Sequence, residues 1–198
     1  MSPEQLTQLG INADKWFKPL FDTLVKYGIS TTKRQAAFIG QCQHESKNFT
    51  TMEEDLYYSA NGLMRTWPSR FPDIDVAEKY ANNPEKIANK VYAGRMGNTQ
   101  DGDGFAFRGR GIIQLTGRDE YKNCGDALKL NLIDFPDNLL VPGYAVLSAG
   151  WFWNKKGLND LADEGDLKEM TRRINGGLNG YDNRVALIAA AQKVLDTY

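Results

Sequence analysis

The sequence predicts a mainly α-helical, two-lobed or cleft-bearing domain, and three observations carry that prediction. Apolar residues recur at three- and four-residue steps, no long alternating strand pattern occurs, and glycine is concentrated in one central segment. Ser2-Pro3-Glu4 is a helix start, with Ser2 as cap and Pro3 at the first helical position, where its missing N–H costs nothing. Trp16, Phe17, Leu20, Phe21, Leu24 and Val25 then supply one apolar face, and Gly28 ends that helix. Thr31 or Thr32 caps the next, whose apolar positions Ala36, Ala37, Phe38, Ile39 and Cys42 lead to His44-Glu45 at its end. Residues 94–111 are too glycine-dense for regular helix and predict an ordered loop with a short extended piece. Asp119–Leu130, Gly143–Lys155, Leu167–Ile174 and Arg184–Leu195 predict further helices, the last two separated by the turn-rich residues 175–183.

No low-complexity tract, tandem repeat or Pro/Ser linker divides the 198 residues, so a single domain spanning 1–198 is expected. With 41% apolar and 25% charged residues, the composition is that of a globular protein with a real core. The net charge of −1, from 24 basic and 25 acidic side chains, provides no global field for nucleic acid or an anionic membrane. Lys155-Lys156 and Arg172-Arg173 leave a local basic face open. Two cysteines, Cys42 and Cys124, are too few for a disulfide framework and are expected as reduced, partly buried thiols. The first residues lack the basic start and apolar run of a signal peptide, and no window reaches the roughly 18 apolar residues of a membrane span. The expectation is synthesis in the cytosol, no membrane insertion and a monomer.

Glu45, at the end of an apolar helix, is followed by Glu53, Glu54 and Asp55. Hydrolysis of a glycosidic bond requires a protonated carboxyl to donate to the leaving oxygen and an ionised one to activate water or attack the sugar. Two carboxylates on separate elements meet that need, although acidic pairs are also common on solvated surfaces. His44-Glu45 does not extend to a zinc motif, because the fifth position is Asn48 and the chain has 1 histidine. Asp101-Gly-Asp103-Gly104 fails as a calcium loop, since the register that puts Gly104 sixth ends on Arg110 where glutamate is needed. These aspartates are expected as turn formers, and His44 as a hydrogen-bonded neighbour. Gly109-Arg110-Gly111 lacks the strand and helix of a phosphate-binding turn. Tyr57, Tyr58, Trp67, Phe107, Trp151 and Trp153 have faces suited to sugar rings, but most such aromatics serve the core.

Four motifs together resemble glycoside hydrolase family 19, the chitinase-like group that includes many phage endolysins. They are Gln43-His44-Glu45-Ser46 running on to Glu53-Glu54-Asp55-Leu56-Tyr57-Tyr58, then Gly94-Arg95-Met96-Gly97-Asn98 with Gly102-Asp103-Gly104. Phe107-Arg108-Gly109-Arg110-Gly111-Ile112-Ile113-Gln114-Leu115-Thr116-Gly117 and Ile174-Asn175-Gly176-Gly177-Leu178-Asn179-Gly180 complete the set, in family order. The resemblance implies an α-helical, lysozyme-like, inverting enzyme with no metal or organic cofactor. It implies Glu45 as the general acid and Glu54 as the base that activates water, with Glu53 its adjacent rival. Thr116 takes the place of a hydroxyl residue that helps hold the water. Gln114, Asn175 and Tyr58 are implied for sugar binding, and Arg184, just beyond the fourth motif, is a further candidate. The two carboxyls of an inverting pair stand about 6.5–9.5 Å apart, and the acid keeps its proton through partial burial or a nearby negative charge.

The chain departs from the family pattern in three places. Glu120 stands where relatives often have a substrate-binding asparagine, Phe107 where many have tyrosine, and Asn179 where plant members often have a glutamate in a charged network. A shortened site fits the phage and bacterial branch. The resemblance implies an endolysin-type glycosidase acting on the peptidoglycan glycan strand, without a separate wall-binding domain and reaching the wall after membrane breach. A chitinase acting on β-1,4-N-acetylglucosamine polymers is the alternative, because both polymers share that sugar. A catalytically silent glycan-binding domain is the third reading.

Overall fold

The computed structural model describes residues 1–197, which are mainly α-helical as the sequence predicts. The helices in the first half are α1 (Pro3–Gln8), α2 (Ala13–Lys26), α3 (Thr32–Glu45), α4 (Ala60–Thr66), α5 (Ile74–Glu78) and α6 (Pro84–Tyr92). They continue as α7 (Asp103–Ala106), α8 (Arg118–Leu128), α9 (Pro142–Lys155), α10 (Leu158–Glu164), α11 (Leu167–Asn175) and α12 (Tyr181–Leu195). Among the described residues, extended pairing is confined to the single bridges Glu53–Arg110 and Arg110–Leu115. No helix of the described residues is long and apolar enough to cross a membrane.

The chain divides into two compact units, the first comprising Met1–Met52, Gly111–Gln114 and Asn138–Tyr198. Its centre is α3, in which every residue from Ala36 to Gln43 is buried. Phe38 meets Trp153 of α9 edge-on at 5.3 Å, and Trp16 of α2 meets Phe49 at the same centroid distance, 5.3 Å. Glycine at position 40 lets α12 approach α3: a Cβ there would stand 2.6 Å from Ile188 Cγ1 and 2.7 Å from the Ile188 backbone nitrogen. That approach sets the end of α3 beside the start of α12.

The second unit comprises Glu53–Arg110 and Leu115–Asp137. Leu56, Leu63, Phe71, Ala77, Ile87, Ala88 and Val91 form its core, flanked by Tyr58, Trp67 and Tyr80. The glycine-dense segment is ordered by one buried carboxylate. Asp103 Oδ2 accepts from the backbone N–H groups of Thr99 at 3.1 Å and Gln100 at 3.0 Å, and from Arg118 Nε at 2.9 Å. The Arg118 guanidinium, with help from those backbone donors, holds the Asp103 carboxyl below its ordinary range despite burial. Asp103 is therefore a turn former, as expected, and more: it ties the loop to the first turn of α8.

The single helix expected to run from Ser2 to Gly28 is two. The chain turns at Gly10, whose φ of 70° is left-handed, and Asn12 starts α2 afresh by accepting from Lys15 N. Ser2 does cap α1, in a full capping box with Gln5, and Thr31 rather than Thr32 caps α3. Helix α8 stops at Leu128, before the expected Leu130, because Lys129 turns left-handed. Helices α4, α5, α6, α7 and α10 lie outside the elements the sequence predicts, being 4 to 9 residues long and too short for a helical period to stand out; α7 corrects the expectation that residues 94–111 hold no regular helix. Cys42 and Cys124 are both buried, and neither is in a disulfide among the described residues.

Candidate functional site

In the first unit, Glu45 is the last residue of α3, with its side chain 23% exposed. Arg184, in the first turn of α12, is 2% exposed and brings Nη2 to 2.5 Å from Glu45 Oε1, an ion pair without hydrogen-bond alignment. The other edge of the same guanidinium donates from Nη1 to Gln41 Oε1 at 2.6 Å, and Nε donates to the Asn179 carbonyl at 3.3 Å. Gln41 lies one turn before Glu45, so a single planar fork reaches both from one helix face. A buried guanidinium needs such company, since an unpaired buried charge is costly. Asn179 meets Arg184 through its backbone carbonyl, and the neutral Gln41 accepts from Nη1 of the same guanidinium.

His44 Nδ1 lies 2.7 Å from Asn183 Oδ1, which adds a second tie between α3 and α12 and fits its expected role as a hydrogen-bonded neighbour. Burial, with the Glu45 charge adding to it, pushes the Cys42 thiol well above its usual range, which keeps it protonated and unreactive. Gln114 and Asn175, both expected to hold sugar, are exposed in this unit, the latter closing α11.

In the second unit, residues 53–54 run alongside 108–110: Glu53 bridges to Arg110, and the Glu54 N–H donates to the Gly109 carbonyl at 2.9 Å. Successive side chains of an extended segment point to opposite sides, so the two glutamates meet different neighbours. Glu53 pairs with cations, accepting from Arg108 Nε at 2.5 Å and lying 3.8 Å from Arg110 Nε. Glu54 has neutral donors instead. Its Oε1 accepts from Gly109 N at 2.6 Å and its Oε2 from the Tyr92 hydroxyl at 2.7 Å. Burial, then the Glu54 charge and hydrogen bond, holds the Tyr92 phenol protonated far above its ordinary value.

Behind this pair, Arg110 is 2% exposed and ion-paired with Asp137 at 2.7 Å, and it donates to the Tyr121 hydroxyl at 3.0 Å. Burial outweighs the neighbouring arginines, and the Tyr121 phenol is pushed up to about 12. Thr116 and Tyr58 are half-buried in this unit, the latter edge-on to Trp67 at 4.9 Å. A cavity of about 260 Å³ is lined by Glu53, Glu54, Tyr57, Phe105 and Arg108 among others, and Tyr57 is 73% exposed there. Of the other aromatics weighed for sugar stacking, Phe107, Trp151 and Trp153 are buried and Trp67 is half-buried. Phe107, where relatives often have tyrosine, packs on Tyr121 at 5.2 Å.

The structure thus brings Glu45 and Arg184 together in one unit, and gives Glu54 a two-donor seat in the other. Sequence reasoning missed Gln41, Arg108 and above all Tyr92. The last precedes the Gly94 motif by two residues, but nothing in its local pattern points to a carboxylate 38 residues away. Glu45 thus meets a buried cation in the first unit, whereas Glu54 accepts from neutral donors in the second.

A protein of Haemophilus influenzae described as a glycosyl hydrolase family 19 domain-containing protein is 42% identical to this chain over 169 residues, covering 83% of this chain and 82% of that protein. An endochitinase of Carica papaya is 33% identical over 121 residues, 60% of this chain and 42% of the plant protein. The crystal structure of chitinase C from Streptomyces griseus HUT6037 superposes with a TM-score of 0.66 over 99% of this chain and 76% of that chain. At 24% identity that likeness shows the fold, which this chain shares. No family model matches the chain.

Proposed function

Because the chain belongs to glycosyl hydrolase family 19 and is a glycosidase by class, we propose that it hydrolyses β-1,4 bonds of an N-acetylglucosamine-containing glycan strand by inversion, with Glu45 as general acid and Glu54 as general base. The observation that carries the reading is the contrast between Glu53 and Glu54. Glu53 is committed to Arg108, whereas Glu54, among the described residues, is held by the Tyr92 hydroxyl and the Gly109 N–H. A carboxylate that accepts from neutral donors keeps further lone pairs for a water proton. Thr116 helps hold that water, and Gln114, Asn175 and Tyr58 contact sugar. Arg184 has a different part: buried between Glu45 and Gln41, it orients the acid.

The strand we assign is bacterial peptidoglycan, which the enzyme would reach from the cytosol after membrane breach. What supports this is the bacterial relative, matched over most of both lengths, while the chain spans less than half of the papaya enzyme. Chitin is the second reading, favoured by the names of the endochitinase and chitinase relatives. Peptidoglycan carries a lactyl-peptide on alternate sugars and chitin does not, so products separate the two. Purified peptidoglycan and chitin oligomers are digested in parallel, reducing ends are labelled with borohydride, and soluble products are weighed by mass spectrometry. Muropeptides with little chitin product establish the first reading and name the bond. Chitin products alone move the enzyme to the second, and silence on both rejects the hydrolase reading.

A further inference from the structure

We propose that Tyr92 is a positioning residue for Glu54, its phenolic O–H and the Gly109 N–H together fixing the carboxylate in one rotamer as a ready acceptor. This assignment rests on Glu54 being the base. Its geometry is specific: the hydroxyl donates to Oε2 at 2.7 Å while Gly109 N donates to Oε1 at 2.6 Å, one donor per oxygen. Two donors on different oxygens resist rotation about the terminal bond of the side chain and favour the charged form over the neutral one.

The phenol is itself braced. Tyr92 closes α6, and its carbonyl accepts from Asn98 Nδ2 at 3.1 Å. The other end of the same amide, Asn98 Oδ1, accepts from Arg118 N at 2.9 Å, and the Arg118 guanidinium rests on Asp103. The glycine-dense segment therefore anchors the residue that holds the candidate base. Other ionisable groups around the pair are Tyr58 and Arg95 near the phenol, with Glu53, Asp55, Arg108 and Tyr121 near the carboxylate. A Tyr92→Phe change leaves all of these in place and keeps the ring, removing one donor.

Losing a donor to the charged form lets Glu54 hold its proton to higher pH. In Tyr92→Phe the acid limb of kcat/KM should move up by about one pH unit, with kcat at the optimum down about tenfold and KM little changed. A merely structural role would lower the profile without moving its acid limb. The second readout needs no turnover: the carboxyl-carbon NMR signal of Glu54 is titrated in Glu45→Gln and in Glu45→Gln/Tyr92→Phe. A higher midpoint in the double variant supports the assignment, and an unchanged midpoint overturns it whatever the activity. A raised midpoint with an unmoved acid limb in an active enzyme overturns the positioning role and Glu54 as base, leaving the contact real. A wild-type chain inactive on both glycans overturns the proposed function and this role with it, whether or not the midpoint moves.

Discussion

At Glu53 and Glu54, one peptide step separates two carboxylates whose neighbours make them chemically unlike. Glu54→Gln should lower kcat by about 10²–10⁴-fold with KM nearly unchanged, the loss expected on removing a general base. Glu53→Gln should cost less than about tenfold in rate but lower stability by roughly 1 kcal/mol, because Arg108 loses its anion while Arg110 keeps Asp137, and partial exposure softens the penalty. Steady-state kinetics and thermal melts on both variants check this, and reversed rate effects would sink the base assignment. Glu45→Gln should abolish measurable hydrolysis and lower stability by about 1–2 kcal/mol, because the buried Arg184 guanidinium loses its anion. Arg184→Ala should instead cost about 3 kcal/mol, since it removes the buried fork between Gln41 and Glu45. Motif resemblance picked out both glutamates, but the sequence could not rank Glu54 over Glu53 on contacts. Their partners Tyr92 and Arg108 lie 38 and 55 residues further on.

Among the elements, α3 and α12 carry the candidate acid and its arginine, and their separation depends on a missing side chain. Gly40→Ala would press a methyl against Ile188, so we expect a loss of about 1–3 kcal/mol and a melting temperature lower by several degrees. Activity should fall with it as Arg184 shifts off Glu45; an unchanged melting temperature would contradict the packing argument. The glycine-dense segment makes a pH prediction. The Asp103 carboxyl is held below its ordinary value, so its contribution is complete above about pH 4 and is lost as pH falls through the lower, folded value. Amide exchange at Thr99 and Gln100 should accelerate selectively below that point, and in Asp103→Asn at all pH values. Equal protection of those amides in wild type and Asp103→Asn would show that the carboxylate does not order the loop. Helices α3 and α9 were legible because long apolar patterns reveal buried faces. The break at Gly10 was not, because the apolar recurrence of α2 hid a preceding turn that one glycine and one asparagine cap decide.

For the molecule as a whole, two compact units each bring their own apolar core, and each holds one of the two proposed catalytic carboxylates. Inverting hydrolysis of a β-linked strand should release the α-anomer first, seen by proton NMR before mutarotation; an initial β-anomer would rule out the inverting mechanism. The sequence by itself determined the helical class, the family likeness and the short list of carboxylates, since helical periodicity, caps and ordered motifs are written in neighbouring residues. Tertiary structure alone decided which carboxylate keeps neutral donors and which is bound to arginines. It also decided that Gln41, 143 residues before Arg184, shares that guanidinium with Glu45. The physical reason is that burial and hydrogen-bond satisfaction are settled by groups meeting across folded chain, and local pattern does not encode those partners.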